Sequence, residues 1–155
     1  MSLSLWLIIG AVILNGTLAG ASIDTAVVKL PARKRIGSRA YAVFARGNDL
    51  GNGLWAYPLW AGLATLVVFA ATIVELVRVR SPQVSIPLLI ASGLSILHFM
   101  ATSQAAPTML GIRHAPDDKE ALAARLDRFA RWHALRTVLQ LLTFLVLLPA
   151  LLSAR

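Results

Sequence analysis

The chain has 155 residues, is 57% hydrophobic and only 14% charged, and carries no cysteine. Its mean hydropathy of +0.71 is too high for a soluble domain of this size, and its length suits a single domain. Without cysteine, disulfides, thiolate metal sites and cysteine nucleophiles are excluded. The formal net charge of +8 resides in segments flanking apolar runs, so anionic headgroups explain it and nucleic acid does not.

In chain order, a first apolar span covers about 3–23 and lacks the basic start of a signal peptide, so a retained helix is expected. Gly16-Thr-Leu-Ala-Gly20 is a small-xxx-small pattern that lets helices approach closely in lipid. Asn15 lies near the midplane and Asp24 at the exit. Pro31 is expected to break the helix, and Arg33, Lys34 and Arg35 then anchor at the headgroups. Ser38 to Arg46 reads as a short interfacial helix capped by Ser38, with Ala40, Val43 and Phe44 on one side. The stretch Gly47-Asn-Asp-Leu-Gly-Asn-Gly53 is turn chemistry.

A second span covers about 54–77, with Trp55, Tyr57 and Trp60 as an aromatic belt and Glu75 in an exposed ion pair with Arg78 or Arg80. The third covers about 84–105, where Ser92, Ser95, His98 and Thr102 form one polar stripe. A second long loop over 106–118 ends at Pro116, Asp117 and Asp118, a good helix start. From there nothing breaks helix before Pro149, so one long helix becomes the fourth span, about 132–152. Each span is long enough for a 30 Å hydrocarbon core. The expected fold is all-α: a polytopic membrane protein, a single four-transmembrane-helix up-down-up-down bundle over 1–155 with an extended fourth helix.

Twelve of the fifteen lysines and arginines flank the two long loops, and Arg78, Arg80 and Arg155 lie on the other side. The positive-inside rule then expects an inner (cell) membrane protein with cytoplasmic long loops and both termini outside.

Function resides in the polar residues that the spans bring to one level. His133, Arg136, Thr137 and Gln140 share a helical face at the start of the fourth span. With Asp24 and His98 at similar depth, and Asn15 and Gln140 deeper, they describe a pocket opening toward the long loops. Three readings stay open. Two histidines and a carboxylate suit a non-haem metal, although no short ligand spacing such as HExxH is present. A histidine general base with Arg136 beside a developing oxyanion suits catalysis. A structural network of His133, Arg136, Asp24 and headgroups suits neither.

Four stretches carry a resemblance: Leu18-Ala-Gly-Ala-Ser-Ile-Asp24, Leu30-Pro-Ala-Arg-Lys-Arg-Ile-Gly37, Asp49-Leu-Gly-Asn-Gly53 and Arg131-Trp-His-Ala-Leu-Arg136. Together they resemble the family of small four-helix membrane proteins that includes anthrone oxygenases. The resemblance implies oxidation of a phenolic anthrone at its central methylene by O₂ to a quinone, without a dedicated redox cofactor; a hydroquinone-like lipophile is a further candidate substrate, and no metal is expected. It brings no residue set, so roles are assigned from the pocket: His133 or His98 as base, Arg136 as oxyanion partner, Asp24 orienting a histidine, and Trp132 and Phe99 walling the ring. Asn15 and Gln140 would contact substrate from below. The expected partners are membrane lipids, a lipophilic aromatic or quinone ligand, and a second copy or a larger membrane complex, but no nucleic acid. The alternative is a non-catalytic accessory subunit or a lipid- or quinone-binding module, suited by the small-residue faces Gly16/Gly20 and Gly62/Ala64.

Overall fold

A computed structural model describes residues 2–79, 81–115 and 118–154. Among the described residues it is entirely helical and holds four stretches long and apolar enough to span a bilayer: Leu3–Ile36, Ser38–Arg78, Pro82–Leu110 and Lys119–Ser153. The protein is thus a membrane protein built as a four-helix bundle. Helix α1 (Leu3–Asp24) starts under a Ser2 cap whose side chain accepts from the Leu5 N–H at 3.2 Å. It continues through a wide π turn at Thr25–Lys29 into α2 (Leu30–Ile36).

Pro31 therefore does not end the helix. The wide turn bonds the Leu30 N–H back to the Thr25 carbonyl, shifting the ladder just where proline withholds its donor. The chain breaks six residues later, at Gly37, whose φ of 85° favours glycine. Helix α3 (Ser38–Gly47) begins there, flanked by Gly37 rather than capped by a Ser38 side chain. Tyr41, Ala42 and Ala45 face the core while Ala40, Val43 and Phe44 share the exposed side, as an interfacial helix requires. Asn48–Asn52 forms a kinked π turn bent at Gly51, so the first "loop" is helical apart from the break at Gly37 and feeds directly into α4 (Gly53–Val74).

After a further wide turn (Glu75–Val79), α5 runs Pro82–Leu110, a turn longer than the sequence suggests, carrying Pro107 inside it. Helix α6 is the expected long rod, Lys119–Ser153, passing through Pro149. Asp118 caps it by accepting from the Glu120 N–H at 3.0 Å. The helix start expected at Pro116 and Asp117 lies outside the described residues, as do Arg80 and Arg155. Around the bundle, α1 packs on α4 and α6, and α5 packs on α4 and, most extensively, on α6.

Two apolar clusters hold the ends. Toward the termini, Ile8, Ala11, Val68, Ala71, Val84, Leu88, Ala91, Leu147 and Ala150 interlock. At the opposite end Leu30, Tyr41, Leu50, Met109, Ile112, Leu122, Leu126 and Phe129 gather α2, α3, α5 and α6. The outside is apolar too: Ile13, Leu66, Ile73, Phe99 and Val138 are each more than half exposed, as lipid-facing side chains are. Near the termini, Glu75 is not the exposed partner of Arg78. It is 1% exposed, accepting from Ser4 Oγ at 2.7 Å and from the Ser81 N–H at 3.2 Å. Arg78 is exposed, and two neutral donors satisfy the buried carboxylate instead.

Only half of the small-residue pattern is used within the chain. A Cβ on Gly16 would come within 2.9 Å of the Phe144 ring on α6, whereas one on Gly20 would meet nothing within 4 Å. Gly16→Ala should destabilise the bundle by about 1–3 kcal/mol and Gly20→Ala should not, measured as thermal unfolding in detergent. Equal stability of the two variants would show that α1 and α6 do not meet this closely.

Candidate functional site: a polar-floored cavity between four helices

Between the two apolar clusters lies a layer of buried polar side chains on α1 and α6. The two helices are antiparallel, and their polar residues match at seven-residue steps: Asn15 and Ser22 on one, Gln140 and His133 on the other. Gln140 Nε2 donates to Asn15 Oδ1 at 2.8 Å, and Asn15 Nδ2 donates to the Ala11 carbonyl at 2.8 Å. One heptad away, His133 Nε2 lies 3.1 Å from the Ser22 carbonyl, and Thr137 Oγ1 donates to that carbonyl at 3.5 Å and to the His133 carbonyl at 2.8 Å. These bonds lock α6 in rotation against α1. They also settle the imidazole: a carbonyl only accepts, so Nε2 carries the proton. In the neutral ring Nδ1 is then the lone-pair nitrogen.

Among the described residues that nitrogen has no partner, and it is buried. His133 lines a cavity of about 550 Å³, within the range of small-molecule sites. The cavity is lined by Leu18, Ala21 and Ser22 of α1, by one face of α4 including Tyr57, Ala61 and Thr65, by one face of α5 including His98, Thr102 and Met109, and by Phe129, His133, Arg136 and Gln140 of α6. Most of this wall is apolar. The Phe129 ring stacks on His133 with centroids 5.3 Å apart, fixing the imidazole from a second direction. Phe99 (72% exposed) and Leu66 (66% exposed) border the cavity and also face outward, so it reaches the lipid-facing side between α4 and α5.

His98, His133 and Arg136 thus do converge, as their spacing predicts. His98 is buried in the cavity wall within electrostatic reach of both other groups. Thr102 of the same stripe also lines the cavity, while Ser92 and Ser95 serve packing: Ser92 Oγ and Thr72 Oγ1 lie 2.9 Å apart across α4 and α5, and Ser95 bonds back to the Ala91 carbonyl. Gln140 lines the cavity floor, while Asn15 sits behind it as its hydrogen-bond partner and not in the wall. Phe99 stands at the mouth.

Two expectations change. Asp24 orients no histidine; it is half-buried and pairs with Lys29 at 3.1 Å, one turn on along its own helix. The orienting acceptor is the Ser22 carbonyl, which seven-residue matching places opposite His133. Trp132 is turned away from the cavity. It packs beside the Phe129 cluster and borders an outer groove with Gln104, Pro107, Thr108, Arg128, Arg131 and Leu135, because one helical step from His133 rotates it by about 100°.

The carboxylate in the cavity is one that residue spacing does not single out. Asp49 enters from the π turn, with Oδ1 accepting from Asn48 Nδ2 at 3.2 Å and Oδ2 buried with no partner among the described residues. It is close enough to act electrostatically on Arg136, whose Nε is likewise buried with no partner among the described residues. Tyr57, assigned by its sequence to the aromatic belt, lines the same wall. The available signal was Leu50, a lone leucine inside a Gly/Asn/Asp run, and it is 7% exposed because that turn folds inward. Among the described residues, no three histidine, aspartate or glutamate side chains sit close enough to form a metal-ligand cluster.

A base, a cation and a carboxylate in an apolar enclosure, each with an unsatisfied buried atom, suit a ligand with a polar edge on an apolar body. Each unsatisfied atom costs about 1–3 kcal/mol unless a ligand or water meets it, so the arrangement is expensive as mere packing. Comparison with protein-family models, curated proteins and solved structures gives no match in any of the three.

The Asn15–Gln140 bond should show a coupling of about 0.6 kcal/mol, and at most about 1.7, in a double-mutant cycle of Asn15→Leu and Gln140→Leu read by unfolding in bicelles. Zero coupling would mean that the floor of the cavity is not built as described.

Proposed function

We propose that the protein is a small membrane oxidoreductase that oxidises an anthrone- or hydroquinone-like lipophile with O₂, without a cofactor of its own. The observation that supports this most is the unpartnered Nδ1 of His133, held beside Arg136 in a mostly apolar cavity. The resemblance of the Trp132-His-Ala-Leu-Arg136 stretch to the anthrone-oxygenase-containing family points the same way.

An anthrone is a carbon acid whose anion is delocalised onto its ring oxygen. His133 Nδ1 takes a proton from the methylene carbon, and Arg136 stabilises the oxyanion that forms. The anion passes one electron to O₂, and the two radicals combine into a C–O bond to give a peroxide, which recovers the proton from His133. Loss of the second methylene hydrogen with cleavage of the O–O bond gives the ketone. The balance is R₂CH₂ + O₂ → R₂C=O + H₂O, with carbon oxidised and dioxygen reduced. Tyr57, Phe99 and Phe129 offer ring surfaces to the substrate, and His98 is a second base within reach. Substrate enters from the bilayer between α4 and α5, where the wall already faces lipid. On the same reading the chain sits in the cell membrane with its basic, longer connections in the cytoplasm and both termini outside.

A non-catalytic quinone- or lipid-binding module is the second reading. It is favoured by the lipid-facing mouth and by Gly20, whose open face would accept another helix. Turnover separates the two. In nanodiscs supplied with an anthrone, O₂ uptake and quinone absorbance should fall about 10²–10⁴-fold in His133→Ala and about 10²–10³-fold in Arg136→Gln, with melting temperatures retained. Wild-type rates in both variants would overturn the catalytic assignment, and binding of a quinone without turnover would favour the module.

A further inference from the structure

Turned away from the cavity, a groove of about 630 Å³ follows the outer seam of α5 and α6. It shares no lining residue with the cavity. Arg128, Arg131, Trp132 and Leu135 stand at i, i+3, i+4 and i+7, so one face of α6 supplies one wall. Gln104, Pro107 and Thr108 stand at i, i+3 and i+4 and supply the other wall from α5. The two helices are antiparallel, which gives the groove a direction. Arg128 and Thr108 are its loop-end members, and Leu135 and Gln104 are its membrane-ward members. Beyond them the same two faces are apolar and exposed, with Leu97 and Met100 on α5 and Val138 and Leu142 on α6. The half-buried Trp132 marks the change of level, as tryptophan does where hydrocarbon meets headgroups.

Charge in this groove is unbalanced. Arg128 and Arg131 are exposed, and neither forms an ion pair among the described residues. Asp127, beside Arg128 in the chain, is taken by Arg33 and lines no part of the groove. Lys29 and Arg46 of the same end are also engaged within the protein, the first with Asp24 and the second with the carbonyls of Ile112 and Ala115. Two guanidinium forks on one face suit a phosphate, which each can meet with paired N–H donors. Among the described residues no aspartate or glutamate lines the groove, so nothing there would meet a choline or ethanolamine cation. Thr108 donates its hydroxyl proton to the Ala105 carbonyl at 2.6 Å, which leaves its oxygen to accept from a hydroxylated headgroup. Deeper in, the Gln104 amide can donate to an ester carbonyl. An inorganic anion would satisfy the arginines and leave the apolar wall unused; an uncharged lipid would do the reverse.

We propose that this groove binds one anionic phospholipid, its phosphate between Arg128 and Arg131 and an acyl chain along Leu135 toward Val138. The site is separate from the cavity and does not depend on the reaction proposed for it.

Native mass spectrometry of the full chain released from neutral detergent micelles tests it, because such a micelle presents no charged leaflet and only a built site retains lipid. Phosphatidylglycerol should be held at least about tenfold more tightly than phosphatidylcholine, with one molecule per chain. Arg128→Gln combined with Arg131→Gln should weaken that lipid by about 10–30-fold, since each basic group beside an anionic headgroup contributes about fivefold. Lys34→Gln combined with Arg35→Gln removes the same charge from the same end, outside the groove, and should change binding by less than about twofold. Equal losses in the two double variants would reduce the effect to overall charge and overturn the site, as would equal retention of the two lipids. Leu135→Asn should weaken the lipid by about threefold or more, and excess inorganic phosphate should not displace it. Displacement by phosphate, or unchanged binding in Leu135→Asn, would mean an anion site without a lipid and would overturn the proposal. All five substituted positions are exposed, so each variant keeps the buried contacts of the bundle.

Discussion

A polar side chain on a helix inside hydrocarbon has no water to turn to, so it must find its partner on another helix or in an enclosed space. The seam between α1 and α6 is built on that constraint. Asn15 with Gln140, and Ser22 with His133, sit one heptad apart on antiparallel helices, and each bond can form only at one rotation and one register. Van der Waals contact alone would tolerate sliding, since lipid tails are as apolar as the leucines they would replace. Gly16 brings the backbones close enough for these short side chains to reach across, with Phe144 closing over it.

The cavity is a consequence of the same seam. With α6 held in rotation, His133 and Arg136 project between α4 and α5, where the walls part on the loop side of the apolar cluster around Val68, Ala71, Leu88 and Ala91. The carbonyl of Ser22 does two things at once: it ties the helices together and it assigns the imidazole proton, leaving Nδ1 as the lone-pair nitrogen. Structural and chemical roles of His133 are therefore not rival accounts. One nitrogen holds the bundle and the other is left over.

Much of this is legible in residue order. Four apolar runs, a polar stripe on α5, the face shared by His133, Arg136 and Gln140, and the unbroken α6 all come from hydropathy and helical spacing, which are local properties. The departures are local in origin too. Pro31 reads as a breaker because a proline removes a donor, but a wide turn can absorb the loss. Asp49 reads as turn chemistry because glycines surround it. Glu75 reads as exposed because an arginine lies one turn away, but its carboxylate turns inward to Ser4 and the Ser81 N–H.

What the sequence determined by itself is the solvent of the fold: lengths of about 20 apolar residues must cross a bilayer, and their polar members must face inward. It also set which residues lie on which face of each helix, because that depends only on a repeat of 3.6. Which helix stands beside which, and at what rotation, was decided by tertiary structure, since it depends on contacts between residues more than a hundred positions apart. That is why Ser22 and not Asp24 meets His133, why Asp49 lines the same cavity as Arg136, and why Trp132 faces outward although its neighbour lines the cavity. A side chain's face is local information; its partner is not.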